Sequence, residues 1–379
     1  MRMTSKKNLL AVSLLAAVAA GVQAEGPKLS GFVDVGYNYN LNGQTTNKFR
    51  AFDDNANTIT LQNAKLGIDG KMESGVGYKV DMMYGHDAAV VNATEDFAPA
   101  TAKDLQFNLQ QAYLTFACPL TGTGLTLGKF VTPFGVEVVE AKDNYNISRG
   151  LLFFYTVPFS HTGLKADKGF MDGKVTATLG LVNGWDNMKD NNSGKTGIAQ
   201  IGTTVLPKTS ILVGGAYGAE QRSPTTTDPR STQGNMRGLL DAIVKVTPIE
   251  KLTLIANYDV GEEKVYSDTV TVTNMDRVTN SYSGLGLHAN YQINDMLSVA
   301  GRWETLDDDG GRTPKEQVLT SDTLTVQAKK DGVIYRLEYR ADHSTYNNTD
   351  TGEMAFQDDH GNMNRKSQTT IGAQVIVTF

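Results

Sequence analysis

A catalytic or metal site would have to be assembled from five histidines, one cysteine and a scatter of acidic clusters. His86, His161, His288, His343 and His360 share no HExxH spacing, and Cys118 has no CxxC partner, so zinc finds no ligand set. Ser160 and His161 are residue types that barrel hydrolases use, but neighbours on a strand point to opposite faces. No GxSxG elbow and no phosphate-binding P-loop is present. Asp53-Asp54-Asn55 and Asp307-Asp308-Asp309-Gly310 are either divalent-cation tips that bridge lipid phosphates or solvated turns. They lack the oxygen-ligand spacing of a calcium loop, which favours turns. The expectation is a chain with no cofactor, no metal and no catalytic residue.

What remains is charge set at regular intervals, and its chemistry is the steering of solutes and ions. The segment 131–157 is long and carries Phe134, Phe153, Phe154 and Tyr155, with Phe130 and Phe159 at its flanks. Exposing so much aromatic surface to water is unfavourable, so the segment is expected to fold inward against a wall. Lys129, Glu137, Glu140, Lys142, Asp143 and Arg149 would then form a pore constriction. A second set recurs on the polar side of alternating runs: Lys65, Lys79, Asp81, Lys165, Asp241, Lys245, Asp259, Arg302, Glu304, Arg336, Glu338 and Arg340. These are expected to line a lumen of mixed sign. Arg336-x-Glu338-x-Arg340 fits either an anion-selecting ladder or a salt-bridge network that stiffens the wall.

Elements with period two must carry these charges. Val33, Val35, Tyr37 and Tyr39 alternate with Asp34, Asn38 and Asn40, and Tyr335, Leu337 and Tyr339 alternate with Arg336, Glu338 and Arg340. About sixteen such runs fill the chain, each the length of a half-buried strand. Long polar segments (42–56, 85–104, 131–157, 183–195, 218–236, 261–280, 306–321 and 341–366) follow odd-numbered runs, and short turns follow even-numbered ones. An even count with short turns at one end and long loops at the other is the pattern of an outer-membrane barrel. Aromatic residues near run ends, among them Tyr84, Tyr258, Trp303 and Phe379, fall where interfacial girdles lie. A sixteen-strand ring is too wide to be filled by its own side chains and encloses water.

Composition agrees. With 38 glycines in 379 residues and a mean hydropathy of −0.29, the chain offers no helical span beyond its N-terminus. There Arg2, Lys6 and Lys7 precede an apolar run that ends at Val22-Gln23-Ala24, which reads as a secretory signal peptide over residues 1–24. Residues 25–379 then form a single barrel domain, and loss of three positive charges takes the formal net charge from −6 to −9. An acidic exported protein is a poor partner for nucleic acid. One thiol precludes an internal disulfide, so stability must come from elsewhere, and a closed sheet supplies it.

Ser30-Gly31-Phe32-Val33-Asp34, Thr60-Leu61-Gln62-Asn63-Ala64-Lys65-Leu66-Gly67, Gly128-Lys129-Phe130 with Pro133-Phe134-Gly135, and His161-Thr162-Gly163-Leu164 resemble the β-barrel porin-2, or OmpL-like, family of Gram-negative bacteria. The resemblance runs over essentially the whole mature chain. It implies an outer-membrane porin that passes small hydrophilic solutes, with homotrimers as seen in other porins. Phe379, preceded by alternating apolar residues, is similar to the signal read by the outer-membrane insertion machinery, with Gln374 where that signal commonly has glycine. The reading is therefore an all-β, transmembrane, antiparallel up-and-down barrel with an inward-folded third loop, partnered by outer-membrane lipids. Its rivals are a substrate-specific channel, a barrel hydrolase and an exported soluble glycan-binding sandwich.

Overall fold

In lipid, a backbone amide finds no water, so a sheet survives only if its edges meet. The computed structural model describes residues 25–95, 106–220, 235–266, 277–309, 312–313 and 315–379. Residues 1–24, read above as the signal peptide, lie outside these, as do parts of the second, fifth, sixth and seventh long segments. Sixteen antiparallel strands close into one barrel. They are β1 (Glu25–Asn40), β2 (Thr58–Lys71), β3 (Gly77–Tyr84), β4 (Phe107–Ala117), β5 (Gly124–Val131), β6 (Ser160–Phe170), β7 (Val175–Val182) and β8 (Thr196–Thr203). The second half comprises β9 (Thr209–Ala219), β10 (Met236–Ile249), β11 (Leu252–Tyr266), β12 (Arg277–Gln292), β13 (Leu297–Asp308), β14 (Gln317–Lys330), β15 (Val333–Ser344) and β16 (Ser367–Thr378). Each strand pairs with its sequence neighbours, and β1 pairs with β16 to close the ring, with Val33 opposite Val377 and Tyr39 opposite Ile371.

The two faces separate as the alternation requires. On β15, Tyr335, Leu337 and Tyr339 are 52%, 63% and 49% exposed, whereas Arg336, Glu338 and Arg340 are buried. Tyr39, Tyr84, Tyr217, Tyr258, Trp303 and Tyr339 all stand on the outer, exposed face; Tyr39, Tyr84 and Tyr217 lie near strand ends, whereas Tyr258, Trp303 and Tyr339, expected there, lie at the middle of β11, β13 and β15. Outward apolar side chains cover the hydrocarbon band, and the ionic groups turn inward.

Three features depart from the sequence reading. β11 runs to Tyr266, β12 begins at Arg277 and β14 begins at Gln317, so strand pairing continues into segments expected to be loops. The outer face there carries Glu262 and Lys264, both exposed. Strands that rise past the lipid lose the apolar alternation but keep their hydrogen bonds. The second long segment contains a helix, α1 (His86–Thr94), with Asp87, Ala88, Val91 and Asn92 buried. The third contains a short 3-10 turn at Ala141–Asp143 and the helix α2 (Leu151–Tyr155).

Gly128 shows why one motif glycine is needed. Its φ is +135°, and a Cβ there would collide with the Ala112 carbonyl and lie 2.8 Å from the Tyr113 Cα on β4. Only glycine lets β5 press against β4 at this point.

Candidate functional site: the third connection and the inner wall

The connection 132–159 leaves β5 and returns on β6, yet its partners are distributed around the ring. Gly135 N donates to Asp241 on β10 at 3.2 Å, and Thr156 Oγ1 donates to Asp259 on β11. Gln200 on β8 donates to the Pro133 carbonyl at 2.6 Å. Leu151 N and Leu152 N donate to Glu304 on β13 at 3.0 and 3.3 Å. Ile147 N and Ser148 N donate to Glu338 on β15 at 2.6 and 3.0 Å. The Arg336 guanidinium donates to the carbonyls of Ala141 and Asn144 at 2.7 and 2.6 Å, and Arg340 to that of Arg149 at 2.7 Å. β13 lies eight places from β5 in a ring of sixteen, directly opposite.

The sequence explains this pattern. A loop without a ladder must satisfy its amides and carbonyls some other way. Carboxylates on the inner faces of β13 and β15 accept paired amides, and the intervening arginines donate to carbonyls. Charge-assisted bonds of this kind are the strong ones. Aromatic packing adds to them: Phe153 stacks on Phe159 with centroids 5.1 Å apart, and Phe52 meets Phe159 at 5.4 Å. Phe130, Phe134, Phe153, Phe159 and Val157 share one buried cluster with Ile198, Ala216 and Leu239 of the wall.

The expected constriction residues divide into two groups. Lys129 pairs with Glu95 beyond α1, and Glu140 pairs with Lys65, which also meets Asp81 at 3.0 Å. Glu137 pairs with Arg302 at 2.6 Å while accepting Gly150 N at 2.5 Å. Arg149 pairs with Asp87 of α1 at 3.0 Å and lies 4.7 Å over the Phe52 ring. These four, with Lys129 only 5% exposed, are buried and internally neutralised. Lys142 and Asp143, paired at 2.6 Å, are the two that keep solvent contact. They stand at the turn of the connection, and Asp143 borders a cavity of about 270 Å³ with Glu137 and Tyr145 on one side and Lys245, His288 and Ile255 on the other.

On the wall, Asp81, Asp241, Asp259, Arg302, Glu304, Arg336, Glu338 and Arg340 are buried, whereas Lys65, Lys79 and Lys165 are half-buried and Lys245 is exposed. Asn257 Nδ2 donates to both Asp241 and Asp259, at 2.9 and 3.0 Å. Lys165 pairs with Asp167 at 2.7 Å, and Lys79 reaches Asp81 at 3.7 Å. Arg340 pairs with Asp342 at 2.8 Å, and Arg50 with the same carboxylate at 2.7 Å.

Sequence reasoning missed Asp87, Glu95 and Arg50, whose loop positions gave no hint of inward pairing. It also missed Ile198, Leu212, Ile243 and Ile255, apolar residues on the inner side of β8 to β11. Their only signal was a break in polarity on the wet face. Burial pushes the Asp87 carboxyl up to about 6, against the pull of Arg149 and His86. Burial likewise pushes Asp186, after β7, up to about 7, against the amides of Ser160 and Phe159 that donate to it.

Ser160 and His161 are both buried, but the His161 ring meets the Gly184 carbonyl at 3.0 Å and the Thr132 hydroxyl at 3.2 Å. The acidic tips are also engaged: Asp53 pairs with Arg50 at 2.7 Å, and Asp308 accepts Thr313 N at 2.6 Å.

A family model described as "Putative beta-barrel porin-2, OmpL-like" matches residues 26–379. Among solved structures, OmpT, an outer membrane protein of Vibrio cholerae in its trimer form, aligns at a TM-score of 0.59 and 12% identity, covering 94% of this chain and 100% of its own. The outer membrane channel DcaP of Acinetobacter baumannii aligns at 0.59 and 13% identity, covering 95% and 100%. An anion-selective porin from Comamonas acidovorans aligns at 0.59 and 10%, covering 94% and 100%. No curated protein sequence matches the chain.

Proposed function

This chain belongs to the beta-barrel porin-2, OmpL-like family, and from that premise we propose that it is a passive diffusion pore whose narrowest section is set by the connection 132–159. A porin channel role in the outer membrane follows from the family and from the closed sixteen-strand barrel. The finer reading is a water-filled path for small hydrophilic solutes or ions, narrowed by a loop folded into the lumen. One observation carries it: backbone groups of the connection bond to inner-face side chains on β8, β10, β13 and β15, and its Thr156 hydroxyl to one on β11.

In this reading Glu137, Glu140 and Arg149 hold the loop in place, Lys129 ties β5 to Glu95 of the second connection, and Lys142 and Asp143 face the permeant solute with Lys245 across from them. Preorganised charge at a constriction acts on ions without further rearrangement. In this reading the chain is a channel and not an enzyme: the imidazole of the Ser160-His161 pair is engaged by the Gly184 carbonyl and the Thr132 hydroxyl. Export by a cleaved signal over residues 1–24, insertion guided by the strand ending at Phe379, and contact with outer-membrane lipids complete the picture. Homotrimers are proposed because one similar structure is described in a trimer form.

The test is planar-bilayer conductance under a salt gradient. Ohmic, non-saturating currents are expected, and Lys245→Glu should shift the reversal potential toward cations. A saturating current, or a reversal potential unmoved by Lys245→Glu, would overturn the passive pore or its proposed lining respectively.

A further inference from the structure

Above α2, between the connection 132–159 and the upper wall, lies a cavity of about 260 Å³ lined by Trp185, Asp186, Asn187, Glu220, Arg237 and Arg312, with Phe154, Tyr155 and Val157 as its apolar side. It is separate from the cavity that Asp143 and Lys245 border. Its polar groups are incompletely satisfied. Among the described residues the indole N–H of Trp185, 7% exposed, has no acceptor, and neither does the Nε–H of Arg237 or of Arg312. The side-chain carbonyl of Asn187, 3% exposed, has no donor among them. Buried polar atoms without partners are rare in folded proteins, and a cluster of them around one void marks a place where something else completes the bonds.

The charges say what that is. Both guanidiniums sit against the indole, Arg237 at 4.9 Å and Arg312 at 5.0 Å from its ring. Arg237 is neutralised by Glu263 at 2.8 Å, whereas the Arg312 guanidinium forms no ion pair among the described residues, lies 4.6 Å from the Tyr282 ring and donates to the Tyr282 hydroxyl at 3.3 Å. Asp186 has the converse condition. Its Oδ1 accepts Phe159 N and Ser160 N at 2.7 and 2.8 Å, its Oδ2 accepts nothing among the described residues, and no cation pairs with it. An unpaired guanidinium and an unpaired carboxylate therefore share one cavity without touching each other. Glu220, beside them, is occupied by Trp185 N at 2.9 Å and by the Thr196 hydroxyl.

We propose that this cavity is a binding subsite for small zwitterions, α-amino acids above all, with the solute carboxylate on Arg312 and the Trp185 and Arg237 N–H groups and the solute ammonium on Asp186 and Asn187. A simple anion would satisfy the donors and leave Asp186 bare, and a simple cation would do the reverse. Only a solute bearing both charges completes the set. Burial raises the affinity of Asp186 for a proton, the Glu95 carboxylate adding to the shift and the amides of Ser160 and Phe159 and the charge of Lys129 opposing it, so a cation in the cavity would be welcomed. The subsite would collect amino acids in the outer vestibule before the narrow section, so its role in uptake rests on the channel reading above, although binding itself does not.

The chain has two tryptophans, Trp185 and the outward-facing Trp303, so the full-length Trp303→Phe protein reports on the cavity by fluorescence. L-alanine, acetate and methylammonium are titrated separately. Alanine is expected to give a saturable change, with each fragment about tenfold or more weaker because each leaves one buried charge unmatched. Arg312→Gln should weaken alanine by a similar factor. Asp186→Asn, which keeps the acceptor for Phe159 N and Ser160 N, should erase the preference for alanine over acetate. No saturable response, equal binding of acetate and alanine in the Trp303→Phe protein, or indifference to Arg312→Gln would overturn the subsite. Conductance of the same protein separates the two readings: an open channel that does not respond to alanine removes only the subsite, and a response without a channel removes only the pore.

Discussion

Glu338→Ala should turn a quiet channel into a wider, noisier one. Glu338 is 6% exposed and accepts Ile147 N at 2.6 Å, Ser148 N at 3.0 Å and the Thr325 hydroxyl at 2.7 Å. Hydrogen bonds to a charged acceptor contribute about 1.5–3 kcal/mol each, so losing the two backbone bonds weakens docking by about 3–6 kcal/mol. At about 1.4 kcal/mol per decade, the ratio of docked to undocked segment falls by roughly 10² to 10⁴. Arg336 still holds Ala141 and Asn144, and Glu304 still holds Leu151 and Leu152, so the stretch between them around Ile147 and Ser148 loosens while α2 stays in place. Single-channel recording should show a larger mean conductance with flicker absent from the wild type. Glu338→Gln, which retains an acceptor oxygen, should fall between the two. Wild-type conductance and wild-type noise in Glu338→Ala would refute the idea that this carboxylate fixes the narrow section.

Two further outcomes concern assembly and acid response. Gly128→Val should sharply reduce the fraction that refolds in detergent to the form that migrates faster unheated, because its Cβ meets β4 backbone; Gly26→Ala, with nothing within 4 Å, should refold normally. Burial raises the Asp87 carboxyl from 3.8 to about 6, so between about pH 4 and 6 the folded chain binds more protons than the unfolded one. Stability should therefore fall as pH rises through that window, and Asp87→Asn should flatten the slope of the gel-monitored unfolding temperature; an unchanged slope would contradict the assignment.

The barrel was legible because lipid and water act on the two faces of every strand. Tyr335, Leu337 and Tyr339 could not be exchanged with Arg336, Glu338 and Arg340 without placing charge in hydrocarbon, so the alternation is strict. Where that pressure ends, the signal ends too, and the upper parts of β11, β12 and β14 read as loops although their ladders continue. α1 was invisible for a related reason: its buried face joins Asp87 and Asn92 to Ala88 and Val91, so it has no apolar stripe for a period to reveal. Inside the ring, residue types announced charge but not pairing. Nothing near Arg149 in the sequence points to Asp87, and nothing near Lys129 points to Glu95, because these contacts join segments fixed only once the ring has closed. For the same reason Glu137 and Glu140 looked no different from Lys142 and Asp143, although the first pair is consumed by neighbours and the second meets solvent.

The seam between β1 and β16 sets the order in which such a ring can arise. Fifteen of its sixteen joins link strands consecutive in the chain and can zip as hairpins, whereas the last unites Val33 with Val377. The largest single loop-closure cost thus falls on one late event. Once that event has happened no frayed border remains from which unravelling can start, so resistance to denaturation should arrive abruptly with the final stitch rather than accumulate strand by strand.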